Sequence, residues 1–249
     1  MTAPIHVLKA CLNGGRSAAD HPGVPLTPEA LAEAAARAVA AGAEAVHVHP
    51  RDEHGRESLD PDDVAAAVAA IRGACPGVPV GVTTGLWVTD GDPHARMALV
   101  EGWREPLPDF ASVNVSEPGF DDLADLLQQR GVAVEAGVWS VADARQLAGR
   151  GPQGIARILV EVMDARREDA VAEAEAILNR LDAVGLTVPR LLHGEGDACW
   201  PLVAEAGRRG LPTRIGLEDT VTGPAGEPVA DNAALVRLAL EVWNQHASR

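Results

Sequence analysis

Apolar residues fall along this chain in two alternating rhythms. Short runs rich in β-branched residues and leucine end on polar residues or glycine, and each is followed by a longer alanine- and leucine-rich stretch with helical spacing. Eight such runs recur: "HVLKACLN" (6–13), "EAVHVH" (44–49), "VPVGVTT" (78–84), "FASVNVS" (110–116), "VAVEAGVW" (132–139), "ARILVEV" (156–162), "PRLLHG" (189–194) and "TRIGLED" (213–219). The stretches between them carry helix punctuation. "TPEALAEAAARAVAAG" places Thr27 at an N-cap, Pro28 at the first helical position and Gly42 just past the end; Asp60, Pro61 and Gly73 repeat the scheme. Further helices are expected over 93–103, 119–130, 140–149, 167–184, 197–209 and 229–247, the last capped near Asp231.

Eight strand–helix alternations in 249 residues predict one domain, 1–249, folded as a (β/α)8 TIM barrel with parallel, buried strands. A doubly wound open sheet is the alternative, disfavoured because no GxGxxG follows the first run. In a barrel, chemistry gathers at the C-terminal ends of the strands, and one strand end stands out. In "AVHVHPRD" (45–52), period-two alternation turns His47 and His49 to the same side, so their rings can converge. Each could be a core histidine bonded to a carbonyl, but a same-face pair of imidazoles at a barrel mouth suits zinc. A catalytic zinc takes a third protein ligand, and Glu218 in "TRIGLED" can reach the pair from the eighth strand. Arg214 shares that strand face and suits a substrate carboxylate, which leaves Asp219 free as a base.

Other polar residues gather at the same ends: Thr83 and Thr84 on the third strand, Asn114 and Ser116 on the fourth, Glu135 on the fifth, Glu161 on the sixth, His193 and Glu195 on the seventh. Taken singly each is a turn or capping residue; together they line a polar pocket to which Trp87, Trp139 and His193 add bulk.

Composition narrows the partners. A net charge of −15 argues against nucleic acid or an anionic membrane, and no apolar run reaches membrane-spanning length. "IHVLKACL" follows the first residues without a basic region or cleavage site, so a cytoplasmic protein is expected, with Cys11, Cys75 and Cys199 as reduced thiols. Lys9 is the sole lysine, so a Schiff-base mechanism would have to use it.

"HPGVPLTPEALAEAAARAVAAGAEAVHVHPRDEHGRESLD", "VTTG", "SVNVS" and "RIGLED" together resemble the β-keto acid cleavage enzyme family, zinc-dependent TIM barrels. The resemblance implies zinc on His47, His49 and Glu218, a substrate carboxylate on Arg214, Asp219 as base, and Thr83 in place of the family's serine. Thr84, Asn114, Ser116 and Glu135 are expected as further substrate contacts. The implied reaction converts a β-keto acid and acetyl-CoA into acetoacetate and a new acyl-CoA, in a homo-oligomer expected to be a dimer or tetramer. Two departures stand out: Arg16 falls where the family has a loop glutamate, and "VEVMDARRED" replaces its glycine-rich loop after the sixth strand. They leave open a zinc-dependent C–C lyase or hydrolase that uses no CoA, with Glu161 or Glu135 replacing the loop glutamate. A Schiff-base aldolase using Lys9 and a non-catalytic binding barrel complete the alternatives.

Overall fold

The computed structural model describes residues 4–247. Eight parallel strands alternate with eight helices: β1 (Leu8–Cys11), α1 (Pro28–Ala40), β2 (Ala45–Val48), α2 (Pro61–Ala74), β3 (Val80–Thr83), α3 (Pro93–Glu101), β4 (Phe110–Asn114) and α4 (Phe120–Gln129) form the first half. The second half comprises β5 (Ala133–Val138), α5 (Val141–Arg150), β6 (Ile155–Val162), α6 (Ala170–Ala183), β7 (Arg190–Gly194), α7 (Cys199–Arg209), β8 (Thr213–Ile215) and α8 (Asn232–His246). Hydrogen-bonded neighbours run β7-β6-β5-β4-β3-β2-β1-β8. Across the remaining seam the Leu192 N–H donates to the Pro212 carbonyl at 2.9 Å and the Thr213 hydroxyl to the Leu192 carbonyl at 2.8 Å. The sheet thus curls into a TIM barrel.

Helix starts follow the expected chemistry: Thr27 Oγ1 accepts the Ala30 N–H, Asp60 Oδ1 accepts that of Asp62, and Asp231 Oδ1 that of Ala234. Gly73 differs from expectation. It lies inside α2, which continues to Ala74 and caps on Cys75, and Gly77 at φ 83° makes the turn instead.

Outward-facing strand residues such as Val46, Val48, Val80 and Val82 pack with the helices in the main core. Inward positions form a separate small apolar floor of Ile5, Ala45, Phe110, Leu159 and Leu191. Two residues further along the same strands come His47, Ser112, Glu161 and His193, so the barrel interior turns from apolar to polar toward its C-terminal mouth. The strands are shorter than the apolar runs, and Asn13, His49, Thr84, Ser116, Glu218 and Asp219 lie in the loops that follow them.

Candidate active site and metal centre

His47 stands one residue before the end of β2, facing into the barrel, and His49 follows just past that end, 5.3 Å from it between ring centroids. The amide of Asn13, in the loop after β1, fixes the backbone of His49: its Oδ1 accepts the His49 N–H at 2.9 Å and its Nδ2 donates to the His49 carbonyl at 2.8 Å. Glu218 arrives by a different route from that read in the sequence. β8 ends at Ile215, and a turn in which the Asp219 N–H donates to the Gly216 carbonyl carries Glu218 inward. Gly216 makes this possible, because a Cβ there would overlap the Cys11 carbonyl.

Glu218 Oε2 then lies 3.6 Å from His49 Nε2 and 3.9 Å from His47 Nε2. This oxygen is buried and has no hydrogen-bond partner among the described residues. One ligand atom from each of His47, His49 and Glu218 falls within 4.8 Å of the others. An orphaned carboxylate oxygen facing two imidazole nitrogens fits a divalent metal. His49 has further support: its Nδ1 meets Glu57 Oε1 at 2.5 Å, the carboxylate–histidine pairing that orients metal-bound imidazoles. Burial holds His47 neutral. Burial also opposes charge on His49, yet the Glu218 and Glu57 carboxylates outweigh it and raise its pKa to about 9. A site that draws positive charge this strongly suits a cation.

Arg214, on β8, spans the two acidic residues beyond it. Its Nη2 lies 2.9 Å from Glu218 Oε1 and 2.8 Å from Asp219 Oδ1, and its Nε donates to the same Asp219 oxygen at 3.0 Å. Asp219 is fully buried, and its Oδ2 has no partner among the described residues. Burial raises its carboxyl to about 7; Arg214 pulls the other way and Glu218 adds to the rise. Glu218 is held well below the usual carboxylate range, because Arg214 and the two histidines outweigh its burial.

These groups border a cavity of ≈ 300 Å³ at the barrel mouth. His47, His49, Thr83, Asn114, Arg214 and Glu218 all line it, whereas Asp219 lies behind Arg214. Trp87, Trp139, Glu161 and Glu195 also reach the wall, and His193 is buried behind Glu161, 3.6 Å from its Oε1.

Three expected substrate contacts are not brought there. Thr84 alternates with Thr83 and so faces outward, its hydroxyl donating to the Ser112 carbonyl at 2.6 Å. Ser116 is exposed beyond the end of β4, and Ser112, inside the strand, takes the wall position instead. Glu135 lies too deep, fully buried between Lys9 and Arg157. That pairing also ties the Lys9 ammonium below the cavity, so among the described residues no lysine amine faces the substrate space for a Schiff base.

Glu57 and Ser112 escaped the sequence reading. Glu57 is returned to His49 by a hairpin bridged between Arg51 and Glu57, which "RDEHGRE" with its turn glycine Gly55 at φ 78° could have signalled. Arg16 donates from Nε to the Glu218 carbonyl at 3.3 Å and stands 3.8 Å from Glu195 at the cavity edge.

A family model described as beta-keto acid cleavage enzyme matches residues 6–248. The chain belongs to the beta-keto acid cleavage enzyme family. Over 263 residues, 97% of this chain and 94% of the relative, it is 28% identical to a 3-keto-5-aminohexanoate cleavage enzyme of Fusobacterium nucleatum subsp. nucleatum. Over 120 residues, 48% of this chain and 40% of the relative, it is 34% identical to a 3-oxoadipate:acetyl-CoA acetyltransferase of Cupriavidus necator. The barrel is similar to that of the solved "Ternary complex of ObcA with C4-CoA adduct and oxalate", with a TM-score of 0.69 at 20% identity over 91% of this chain. This chain spans 65% of that chain's length. A 3-dehydroquinate dehydratase from Geobacillus kaustophilus HTA426 shares the fold at a TM-score of 0.63 and 17% identity, over 99% of this chain and 93% of that one. At these identities the structural likenesses speak to the fold alone. This member of the beta-keto acid cleavage enzyme family has no helix long and apolar enough to cross a membrane among the described residues.

Proposed function

We propose that this protein exchanges acyl groups between a β-keto acid and acetyl-CoA, yielding acetoacetate and a new acyl-CoA, at a zinc centre held by His47, His49 and Glu218. The observation that carries this reading is the convergence of two imidazole Nε2 atoms and an unpaired carboxylate oxygen beside a cavity that Arg214 also enters. The family match supports it, as do relatives named as a 3-keto-5-aminohexanoate cleavage enzyme and a 3-oxoadipate:acetyl-CoA acetyltransferase. When bound, zinc supplies Lewis-acid polarisation to the substrate ketone, which acidifies the neighbouring methylene.

The chain's own groups do the rest. Arg214 holds the substrate carboxylate. Thr83 keeps its hydroxyl proton free for the substrate, because its Oγ1 accepts the Gly85 N–H at 3.0 Å. Asp219 takes the α-proton once Arg214 turns from it to the substrate. The resulting carbanion attacks the thioester carbonyl and expels the CoA thiolate. That thiolate adds to the original ketone carbon, the bond between it and the α-carbon breaks, and Asp219 returns the proton to acetoacetate. Atoms and charge balance over the cycle.

The proton step can be tested without thioester, by following exchange of the α-protons of a β-keto acid with deuterated water by NMR. Wild type should exceed the solution rate, and Asp219→Asn should lose roughly 100- to 10,000-fold. Exchange at the wild-type rate in Asp219→Asn would place the base elsewhere, with Glu161 the next carboxylate on the wall.

A further inference from the structure

Two arginines, Arg16 and Arg214, stand on the cavity wall, and their surroundings differ. Arg214 is committed: Glu218 and Asp219 take its guanidinium, and the substrate carboxylate is its ligand in the reaction proposed above. Arg16 is not. Its Nε donates to the Glu218 carbonyl at 3.3 Å, but its Nη2 stops 3.8 Å from Glu195 Oε1, and its terminal nitrogens make no hydrogen bond among the described residues. The side chain is only 26% exposed, so water screens its charge little where it opens onto the cavity.

A long side chain can act at a fixed point only if its base is fixed, and the loop after β1 is locked to the metal triad. Gly14, at φ 53°, lies so close to Glu218 that a Cβ would overlap the Glu218 Cγ. Arg51 ties the same turn, its Nη2 donating to the Gly14 carbonyl and, at 3.0 Å, to that of Arg16. The Arg16 N–H closes the turn on the Asn13 carbonyl at 3.2 Å, and Asn13 is the residue that holds the backbone of His49. Arg16 therefore shares one frame with His49 and Glu218.

Other donors on the wall are already engaged. Trp87 Nε1 donates to Glu57, Trp139 Nε1 to Glu161 and Asn114 Nδ2 to Glu117. Acyl exchange, however, develops negative charge on two oxygens: the ketone oxygen of the β-keto acid, which a bound metal polarises, and the thioester carbonyl oxygen, which becomes an alkoxide when the carbanion adds. The second oxygen needs its own partner, and Arg16 is the wall cation that remains.

We propose that Arg16 is a catalytic residue of the acyl-transfer step, its terminal N–H groups holding the thioester carbonyl oxygen. The inference rests on the acyl-exchange reading above and adds to it the group that stabilises the tetrahedral intermediate. As the α-carbon bonds to the thioester carbon, the carbonyl π pair moves onto oxygen beside the guanidinium, and its return expels the CoA thiolate. Arg16 stays protonated throughout, so the step moves no proton.

Acetoacetate serves as the β-keto acid in the test, because its exchange with acetyl-CoA regenerates both compounds whatever side chain the natural substrate carries. With carbon-13 at the thioester carbonyl, transfer is read by NMR as label at the ketone carbon of acetoacetate. Arg16→Met should slow it roughly 100- to 1,000-fold, and Arg16→Lys, which keeps the charge without the fork, should recover at least about tenfold of that loss. Exchange of the α-protons of acetoacetate with deuterated water, without thioester, reports the metal and base alone and should stay within about twofold of wild type in both variants. A parallel fall in proton exchange would make Arg16 a mere support of Glu218 and overturn the proposal. Label transfer at the wild-type rate in Arg16→Met, or a lysine no better than methionine, would do the same. The infrared carbonyl band of acetyl-CoA bound to the zinc-loaded protein, isolated as the difference between carbon-12 and carbon-13 thioesters with no β-keto acid present, reads the contact apart from turnover. It should lie below its frequency in water for wild type and return to it in Arg16→Met. A wild-type band at the solution frequency overturns the contact even if the variant does not fold. A lowered band with no label reaching acetoacetate would sink the acyl-exchange reading and keep the contact, and label transfer with an unmoved band would do the reverse.

Discussion

Three carboxylates compete for the guanidinium of Arg214: Glu218, Asp219 and, in the proposed reaction, the substrate's own. A planar fork can serve two of them at once, and a lysine ammonium at the same place cannot keep that geometry. Arg214→Lys should therefore raise KM by about tenfold or more while zinc content, measured by elemental analysis, stays near wild type. An unchanged KM would remove Arg214 from substrate binding. His193 makes a different claim, on stability. Its pKa moves from 6.5 to about 4 on folding, because burial and Arg214 oppose its charge. The unfolded chain thus binds the extra proton between these values. The stabilisation is whole above pH 6.5 and is lost as pH falls through 4, a change of about 3 kcal/mol. In urea denaturation of metal-free protein, His193→Asn should lose stability less steeply across that window. Parallel profiles for the two proteins would refute the assignment.

Strands and loops contributed unequally to the site. Period two alone was enough to put His47 and His49 on one face, since both belong to β2 and its first continuing residue. The same rule should have separated Thr83 from Thr84, because adjacent strand residues cannot both face inward. It failed for Glu218, whose position depends on a turn after a three-residue β8 and on the close approach that Gly216 permits. Depth along a strand was also illegible: Glu135 points into the barrel but pairs with Lys9 and Arg157 below the cavity. The hairpin after β2 is the element whose role sequence left unread. It returns Glu57 to His49, and Trp87 Nε1 braces that carboxylate at 3.1–3.2 Å from its two oxygens. Glu57→Gln keeps the volume but removes the charge that orients the imidazole. Zinc affinity, measured by competition with a chelating dye, should fall about tenfold to a hundredfold with the fold intact. Affinity within about twofold of wild type would leave the hairpin a purely structural part.

At the scale of the molecule, the barrel was legible because eight helices, five of them capped by a side chain, alternate with eight apolar runs, a pattern that few folds accommodate. The closure between β7 and β8 was not, for it rests on a few bonds that no periodicity reports. An excess of 36 acidic over 21 basic side chains gives the protein an anionic field, so an anionic thioester must be met locally. In the proposed reaction Arg16, at the cavity edge, would be the nearest cation to meet it. Trp87 and Trp139, the exposed large apolar side chains of the described residues, stand at the same mouth. The central claim is that acetyl-CoA donates its acetyl carbons to acetoacetate, and one measurement decides it directly. The zinc-loaded protein is incubated with a β-keto acid and acetyl-CoA labelled with carbon-13 at the thioester carbonyl, and the products are read by NMR. The account predicts that the label appears at the ketone carbon of acetoacetate while the new acyl-CoA stays unlabelled. Consumption of the β-keto acid with the label remaining in acetyl-CoA, or passing only to acetate, would contradict it.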